Sequence, residues 1–246
     1  RLRYTDAPMN LILFEPGEIG KPIPRGDRRY SHITNVLRLS PGDGFDAGIL
    51  NGPTGRALVT GMTDREIRFE FTPGTEPPPL FPVTLLLGFP RPICARRILK
   101  DLTTLGVERI LLCGTDKGEK SYRESRIWTA GEYRDHLREG AEQAWSTRLP
   151  EVSFHWSVRA ALGSVPDDAV RIALDNYESE VRLSRFGPIP GRCVLAIGSE
   201  RGWSDAEREV LRGAGFRIAD LGPRVLRTET ACLSAVTLAL AAMNLM

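Results

Sequence analysis

Arg224, Arg227 and Glu229 fall within six residues, between the break Leu221, Gly222, Pro223 and a C-terminal stretch that is almost wholly apolar. A guanidinium can stabilise negative charge developing on a carbonyl oxygen, or hold a phosphate. A carboxylate can position that guanidinium or accept a proton. Charges set between two apolar elements point to function more strongly than charges in a solvated loop. A second charged turn precedes them: Gly198, Ser199, Glu200, Arg201, Gly202. Its two glycines permit backbone angles or a close approach that a side chain would block. Taken alone, such a turn is more often ordinary punctuation of an α/β chain than a cofactor site. The two turns together can enclose one ligand.

The flanking elements explain how the turns are positioned. Cys193–Ile197 is a short apolar run suited to a strand buried on both faces. Ser204 with Glu207 predicts a capping box that opens a helix. Ala206, Val210, Leu211 and Ala214 follow at helical spacing, and Gly213 or Gly215 can end the helix. Phe216–Leu221 reads as the next strand. The pattern places both turns at the carboxyl ends of adjacent strands, where ligands sit in open α/β sheets.

The chain has 246 residues, 41% of them hydrophobic, and a net charge of +2, too small to announce a nucleic-acid binder. Its basic character is local. Lys21, Arg25, Arg28, Arg29 and Arg38 stand against one acid, Asp27, and Arg91, Arg96, Arg97 and Lys100 form a second run. Such patches can supply phosphate contacts, or be solvated surface. The four cysteines, Cys94, Cys113, Cys193 and Cys232, form no Cys-x-x-Cys pair. That argues against a zinc site and a disulfide scaffold and fits a reducing cytoplasm. No signal peptide is apparent; Met9 looks like a natural start, which leaves residues 1–8 as an extension or a remnant. The apolar stretch from Ala231 to Met246 is 16 residues and is short for a membrane span. A helix buried in the core or at a subunit interface is expected.

Residues 72–79 hold four prolines and a glycine and form a stiff linker. The expected division is a first domain at 1–72, a linker at 73–80 and a second domain at 81–246. In the first, strand-like runs at Asn10–Glu15, Gly44–Leu50, Gly55–Thr60 and Glu66–Phe71 suggest a small β-barrel, with one helix over 28–39. In the second, strands at Val83–Gly88, Arg109–Cys113, Val170–Leu174, Cys193–Ile197 and Phe216–Leu221 alternate with helices at Ile93–Leu105, Ile127–Ser146, Asp205–Gly213 and Thr230–Leu245. This alternation predicts an α/β fold with a mostly parallel sheet. There is no Gly-x-Gly-x-x-Gly after a strand, no phosphate-binding P-loop and no Gly-x-Ser-x-Gly elbow. The three histidines, His32, His136 and His155, are far apart in sequence, so a zinc hydrolase is not expected.

The two turns resemble those of the SPOUT-class RNA methyltransferases, and within that class the family that methylates N3 of a uridine in bacterial 16S ribosomal RNA. The family reads Gly-Pro-Glu-Gly-Gly in the first turn; here Ser199 replaces Pro and Arg201 replaces a Gly. It reads Leu-Gly-x-Arg-Ile-Leu-Arg-x-Glu-Thr-Ala in the second, and residues 221–231 match throughout, with Val225 for Ile. The stretches His32–Arg38, Leu105–Ile110, Glu142 with Gln143, and Arg148–Pro150 are also similar, in the right order and across nearly the whole chain.

The resemblance implies a deep trefoil knot in the C-terminal domain, a PUA-like RNA-binding barrel before it, and S-adenosylmethionine as methyl donor. It implies that Leu174, Ile197, Gly198, Glu200, Gly202, Leu221, Gly222, Val225 and Leu226 hold this cofactor. Backbone groups of the two turns would bond the adenine and ribose, and Leu174, Ile197 and Leu226 would wall the adenine, although these apolar residues read equally as core. Arg227 and Glu229 are the candidate catalytic pair; a purely structural salt bridge between them is the alternative, and the general base is unassigned. Arg28, His32, Arg38, Arg96 and Arg224 are candidate RNA contacts, and His32 reads equally as a core or capping histidine. Arg201 is expected to point outward as another. The implied partners are 16S ribosomal RNA in the small subunit and a second copy of the chain, with no membrane and no metal. The competing readings are an RNA-binding or ribosome-assembly protein without catalysis, supported by Ser199 and Arg201, and a related methyltransferase with a different RNA target.

Overall fold

The computed structural model of the chain describes residues 11–246. The start at Met9, the status of residues 1–8 and the first residue of the strand expected from Asn10 lie outside the described residues. The chain divides into two compact units. One comprises the chain up to Pro79 together with Ala141–Leu149; the other comprises Leu80–Gly140 and Pro150–Met246.

The first unit contains β1 (Ile12–Phe14), β2 (Ile23–Pro24), the short helix α1 (Arg28–Ser31), a π-helical turn (His32–Val36), β3 (Gly44–Ile49), β4 (Thr54–Met62) and β5 (Glu66–Pro73). The strands form one mixed five-stranded sheet in the order β1-β3-β4-β5-β2. β1 runs parallel to β3, and the other pairs are antiparallel. Alternation puts Ala57 and Val59 of β4 inside and Arg56 and Leu58 outside. Ile12, Phe14, Ile33, Phe45 and Phe69 fill the core. The helix expected over 28–39 stops at Val36, and Arg38 then takes a left-handed conformation with φ 54°.

Arg29, counted in the basic run, is buried. Its guanidinium donates to Glu18 and Asp27 and to the Leu13 carbonyl, so it serves this core. The segment 141–149 returns to the same unit. Both carboxylate oxygens of Glu142 accept from Arg28 Nη2, at 2.8 and 2.9 Å, and Thr147 Oγ1 donates to the Gly52 carbonyl at 2.6 Å. Spacing along the chain gave no sign of this return.

The second unit contains β6 (Phe81–Gly88), α2 (Pro92–Thr104), β7 (Val107–Cys113), α3 (Lys120–Arg123), α4 (Arg126–Thr129), α5 (Tyr133–Gln143, leaving the unit at Gly140), β8 (Glu151–His155), α6 (Val158–Leu162) and β9 (Ala169–Leu174). It continues with β10 (Val181–Arg182), a 3-10 turn (Leu183–Arg185), β11 (Arg192–Ile197), α7 (Asp205–Gly213), β12 (Arg217–Asp220) and α8 (Thr228–Ala242). Seven parallel strands form one sheet in the order β10-β12-β9-β11-β6-β7-β8. The central strands are apolar because helices cover both faces; Leu85, Leu86, Val194 and Leu195 are fully buried.

Two expectations need correction here. β11 and β12 are not adjacent: β9 lies between them and pairs with both. The helix expected over 127–146 is broken into α4 and α5, with Gly131 in the break at φ 75°. The edge strands β8 and β10 were not anticipated, because their half-exposed residues lack the apolar run of an inner strand. The C-terminal apolar stretch forms α8, which buries Cys232, Ala235, Val236, Ala239 and Leu240 along one stripe.

Candidate active site

Because β9 separates β11 from β12, the site is built from three loops. Leu174 and the following Asp175, Asn176 and Tyr177 come from the end of β9. Residues 198–202 come from the end of β11, and Asp220, Leu221, Val225 and Leu226 from the end of β12. They surround a cleft of about 140 Å³, which Thr228 and Ala231 of α8 also line. Eight of the nine expected cofactor residues line it: Leu174, Ile197, Gly198, Glu200, Gly202, Leu221, Val225 and Leu226. Gly222 is not on the lining. At φ 113° it shapes the turn, and its N–H donates to Asp220 at 2.7 Å.

Local chemistry sets the first loop. The Gly202 N–H donates to the Ser199 carbonyl at 2.8 Å, closing a tight turn with Glu200 and Arg201 exposed at its tip. The turn packs back on Gly198 so closely that a Cβ there would lie 2.9 Å from the Gly202 carbonyl carbon. Trp203 anchors the loop from below. It is fully buried, and its indole N–H donates to the Leu174 carbonyl at 3.1 Å, tying the β11 loop to the end of β9. The capping box then forms as expected, with Ser204 Oγ accepting from Glu207 N and the Glu207 carboxylate accepting from Ser204 N.

The charged groups around the cleft are mostly engaged. The Glu200 carboxylate accepts from the backbone N–H of Arg91 at 2.8 Å, and the Arg91 side chain donates to Tyr122 Oη at 2.9 Å. Glu200 therefore joins the loop to the start of α2. Asp175 is buried and accepts from Tyr177 N, Glu178 N and the buried guanidinium of Arg208. Burial pushes the Asp220 carboxyl up, but hydrogen bonds from Ser179, Gly222 N and Arg182 outweigh it and leave the group below its ordinary value.

Arg227 precedes the first residue of α8 and is exposed. Glu229 sits in the first turn of that helix, half-buried. Among the described residues no ion pair joins the two. Glu229 lies beside the Cys94 thiol of α2; burial first, and then this carboxylate, push the Cys94 thiol up. The deeper cysteines are unsuited to nucleophilic work, since burial raises Cys193 to about 12 and moves Cys113 and Cys232 further still.

A family model described as an RNA methyltransferase domain matches residues 76–240. Ribosomal RNA small subunit methyltransferase E of Treponema pallidum is 38% identical over 242 residues, covering 95% of this chain and 91% of that protein. Ribosomal RNA small subunit methyltransferase E 1 of Borreliella burgdorferi is 31% identical, covering 92% and 95%. The chain belongs to the ribosomal RNA small subunit methyltransferase E family. Its fold also matches solved structures: the Neisseria gonorrhoeae methyltransferase E bound to S-adenosyl methionine (TM-score 0.74, 22% identity, 95% and 98% coverage) and a Legionella pneumophila protein in complex with the bound cofactor SAM (TM-score 0.79, 22% identity, 94% and 97% coverage).

Against that family pattern, the remaining sequence candidates are distributed over both units. Arg28, His32 and Arg38 belong to the first. Arg28 is held by Glu142, which in the sequence was part of a family motif with no known neighbour. His32 is half-buried in the π-helical turn and Arg38 is exposed. Arg96 and Arg224 are exposed in the second unit, with Arg96 4.0 Å from Glu132. Arg201 is exposed and also lines the rim of the cleft. Sequence reading missed Asp175, Tyr177, Trp203 and Cys94. Only Trp203 left a signal: an aromatic residue directly before a helix cap often packs inward. Among the described residues no His, Cys, Asp and Glu group could hold a metal, and no helix is long and apolar enough to cross a membrane.

Proposed function

We propose that the chain transfers the methyl group of S-adenosylmethionine to N3 of a uridine in 16S ribosomal RNA of the small subunit, acting in the cytoplasm as a homodimer whose C-terminal domain is knotted. The observation that carries this reading is the convergence of both family turns on one cleft with the end of β9. The names of the relatives point to small-subunit ribosomal RNA, and two proteins of the same fold hold the cofactor.

The residues present fit that cofactor. Ser199 Oγ is buried with no hydrogen-bond partner among the described residues, and Ser199 lines the cleft, so a polar ligand can satisfy it. Leu174, Ile197 and Leu226 offer apolar walls for an adenine, and the backbone of residues 198–202 and 221–226 offers donors and acceptors. When bound, the sulfonium supplies an already activated methyl group.

The protein must then align the acceptor and help the uracil imide lose its proton. Arg227 stabilises negative charge on a uracil carbonyl as N3 deprotonates. Glu229, beside Cys94 in the first turn of α8, is a positioning residue. N3 lies on the Watson–Crick edge, so the target must be unpaired or flipped. The test is transfer from labelled S-adenosylmethionine to small subunits lacking native methylation, with nucleoside analysis. Label in N3-methyluridine is expected. Label in another nucleoside overturns the assignment of position, and no label with folded protein overturns the activity.

A further inference from the structure

A second hollow of about 410 Å³ lies in the same unit, at the carboxyl ends of β7 and β8. Phe89, Thr115, Gly118, Arg123, Trp156 and Glu207 are among its lining residues. It shares Phe89, Arg123 and Trp156 with an adjoining hollow of about 470 Å³ that adds Trp128 and Phe154. It is close to the cofactor loop: a Cβ on Gly118 would lie 3.8 Å from Ser199 Cβ. We propose that this paired hollow binds an unpaired nucleotide of the RNA substrate beside the target, its base stacked on Trp156. The proposal rests on the RNA methyltransferase reading given above.

Trp156 is 78% exposed, although an indole of this size is ordinarily buried. The Arg123 guanidinium carbon sits 4.6 Å from its ring centroid, so one ring face already carries a cation. Phe154, 43% exposed, stacks on Phe89 with the rings 7° from parallel. Trp128 meets both edge-on, which holds this aromatic floor rigid. Base stacking on aromatic faces combined with a cationic rim is the general way single strands are gripped.

Cations at the rim offer contacts to an RNA backbone. Lys120, Arg123 and Arg159 line the hollow, and among the described residues none of them has an ion-pair partner. The facing acids are Asp116, Glu119 and Glu207, with Glu124 in the adjoining hollow. Asp116 accepts from Ser204 Oγ, and Glu207 accepts from the N–H groups of Ser204 and Asp116, so both are occupied internally. Burial further pushes the Glu207 carboxyl up. The buried Thr115 Oγ1 has no partner among the described residues and offers a hydrogen bond to a base edge.

The test is titration of the full chain with a single-stranded oligouridine, read by intrinsic tryptophan fluorescence, alongside methyl-transfer kinetics on small subunits. Trp128 and Trp203 are buried and Trp145, 39% exposed, belongs to the other unit, so the part of the RNA-dependent quench that Trp156→Ala removes is assigned to Trp156. Trp156→Ala should abolish that quench and raise KM for subunits by about fivefold to about 150-fold, the range for loss of one base stack. S-adenosylmethionine affinity and kcat should not change. Trp156→Phe should restore most of the binding, and Arg123→Gln should weaken it without unfolding the chain. Unchanged oligouridine binding and KM in both Trp156→Ala and Arg123→Gln would overturn the proposal. So would dissociation of a dimer by Trp156→Ala in sedimentation velocity, which would make the face a protein contact. Failure of the wild-type chain to methylate subunits counts against the enzymatic reading, while the oligouridine titration still decides the hollow.

Discussion

Replacing Gly198 by Ala tests whether the turn closing on it shapes the cofactor site. The added Cβ would lie 2.9, 3.1 and 3.2 Å from the C, Cα and O of Gly202. All three are backbone atoms, so no side chain can swing away. Gly202 cannot retreat freely either: its N–H is bonded to the Ser199 carbonyl, and the next residue, Trp203, is buried and tied to Leu174. Overpacking of this kind costs about 1–3 kcal/mol. If the loop holds, that appears as lost stability, roughly 2–4 °C in Tm for each kcal/mol in a chain of this size. If the loop opens instead, it appears as lost affinity for S-adenosylmethionine, about fivefold to about 150-fold. Gly202→Ala is the comparison. It strains a residue at φ 68°, costing roughly 1–2 kcal/mol, but meets nothing within 4 Å. Titration calorimetry and thermal melts of both variants separate the effects. Gly198→Ala should lose the more affinity. Binding within twofold of wild type with Tm unchanged, or a larger affinity loss in Gly202→Ala, would refute the reasoning.

Arg227→Ala should lower methyl transfer by about 10²–10³ with cofactor affinity and circular dichroism intact; near-normal turnover would remove Arg227 from the mechanism. Arg208→Leu leaves Asp175 buried without its guanidinium and should cost about 3–5 kcal/mol in chemical denaturation. Adding Asp175→Asn should recover part of this loss, and a cost below about 1 kcal/mol would show that Arg208 is dispensable. Asp27 gives a pH signature. Burial raises its carboxyl, but hydrogen bonds and charge from Arg29 outweigh that and leave it below its ordinary value. A depressed folded value contributes stability that is present above the unfolded value and lost as pH falls through the folded one. Stability should therefore drop on the acid limb below about pH 5, less steeply in Asp27→Asn; identical slopes in the two proteins would contradict the assignment.

Local order determined much of this protein. The capping box of Ser204 and Glu207, the apolar run of β11, the alternation of strands and helices after the proline stretch, and the motif residues of both turns all depend on neighbours within a few positions. They could be read directly from residue type and spacing. Long-range pairing decided the rest. The insertion of β9 between β11 and β12 brought Asp175 and Tyr177 to the cleft, and no periodicity encodes the order of parallel strands. Arg29 and Arg28 read as a basic patch until Glu18, Asp27 and Glu142 were found against them. Glu229 read as the partner of Arg227, but the fold sets it beside Cys94, from a helix far away in sequence, and no ion pair joins it to Arg227 among the described residues. Residue types state what a side chain can do; which group satisfies it depends on distances of a few ångströms that only the packed chain sets.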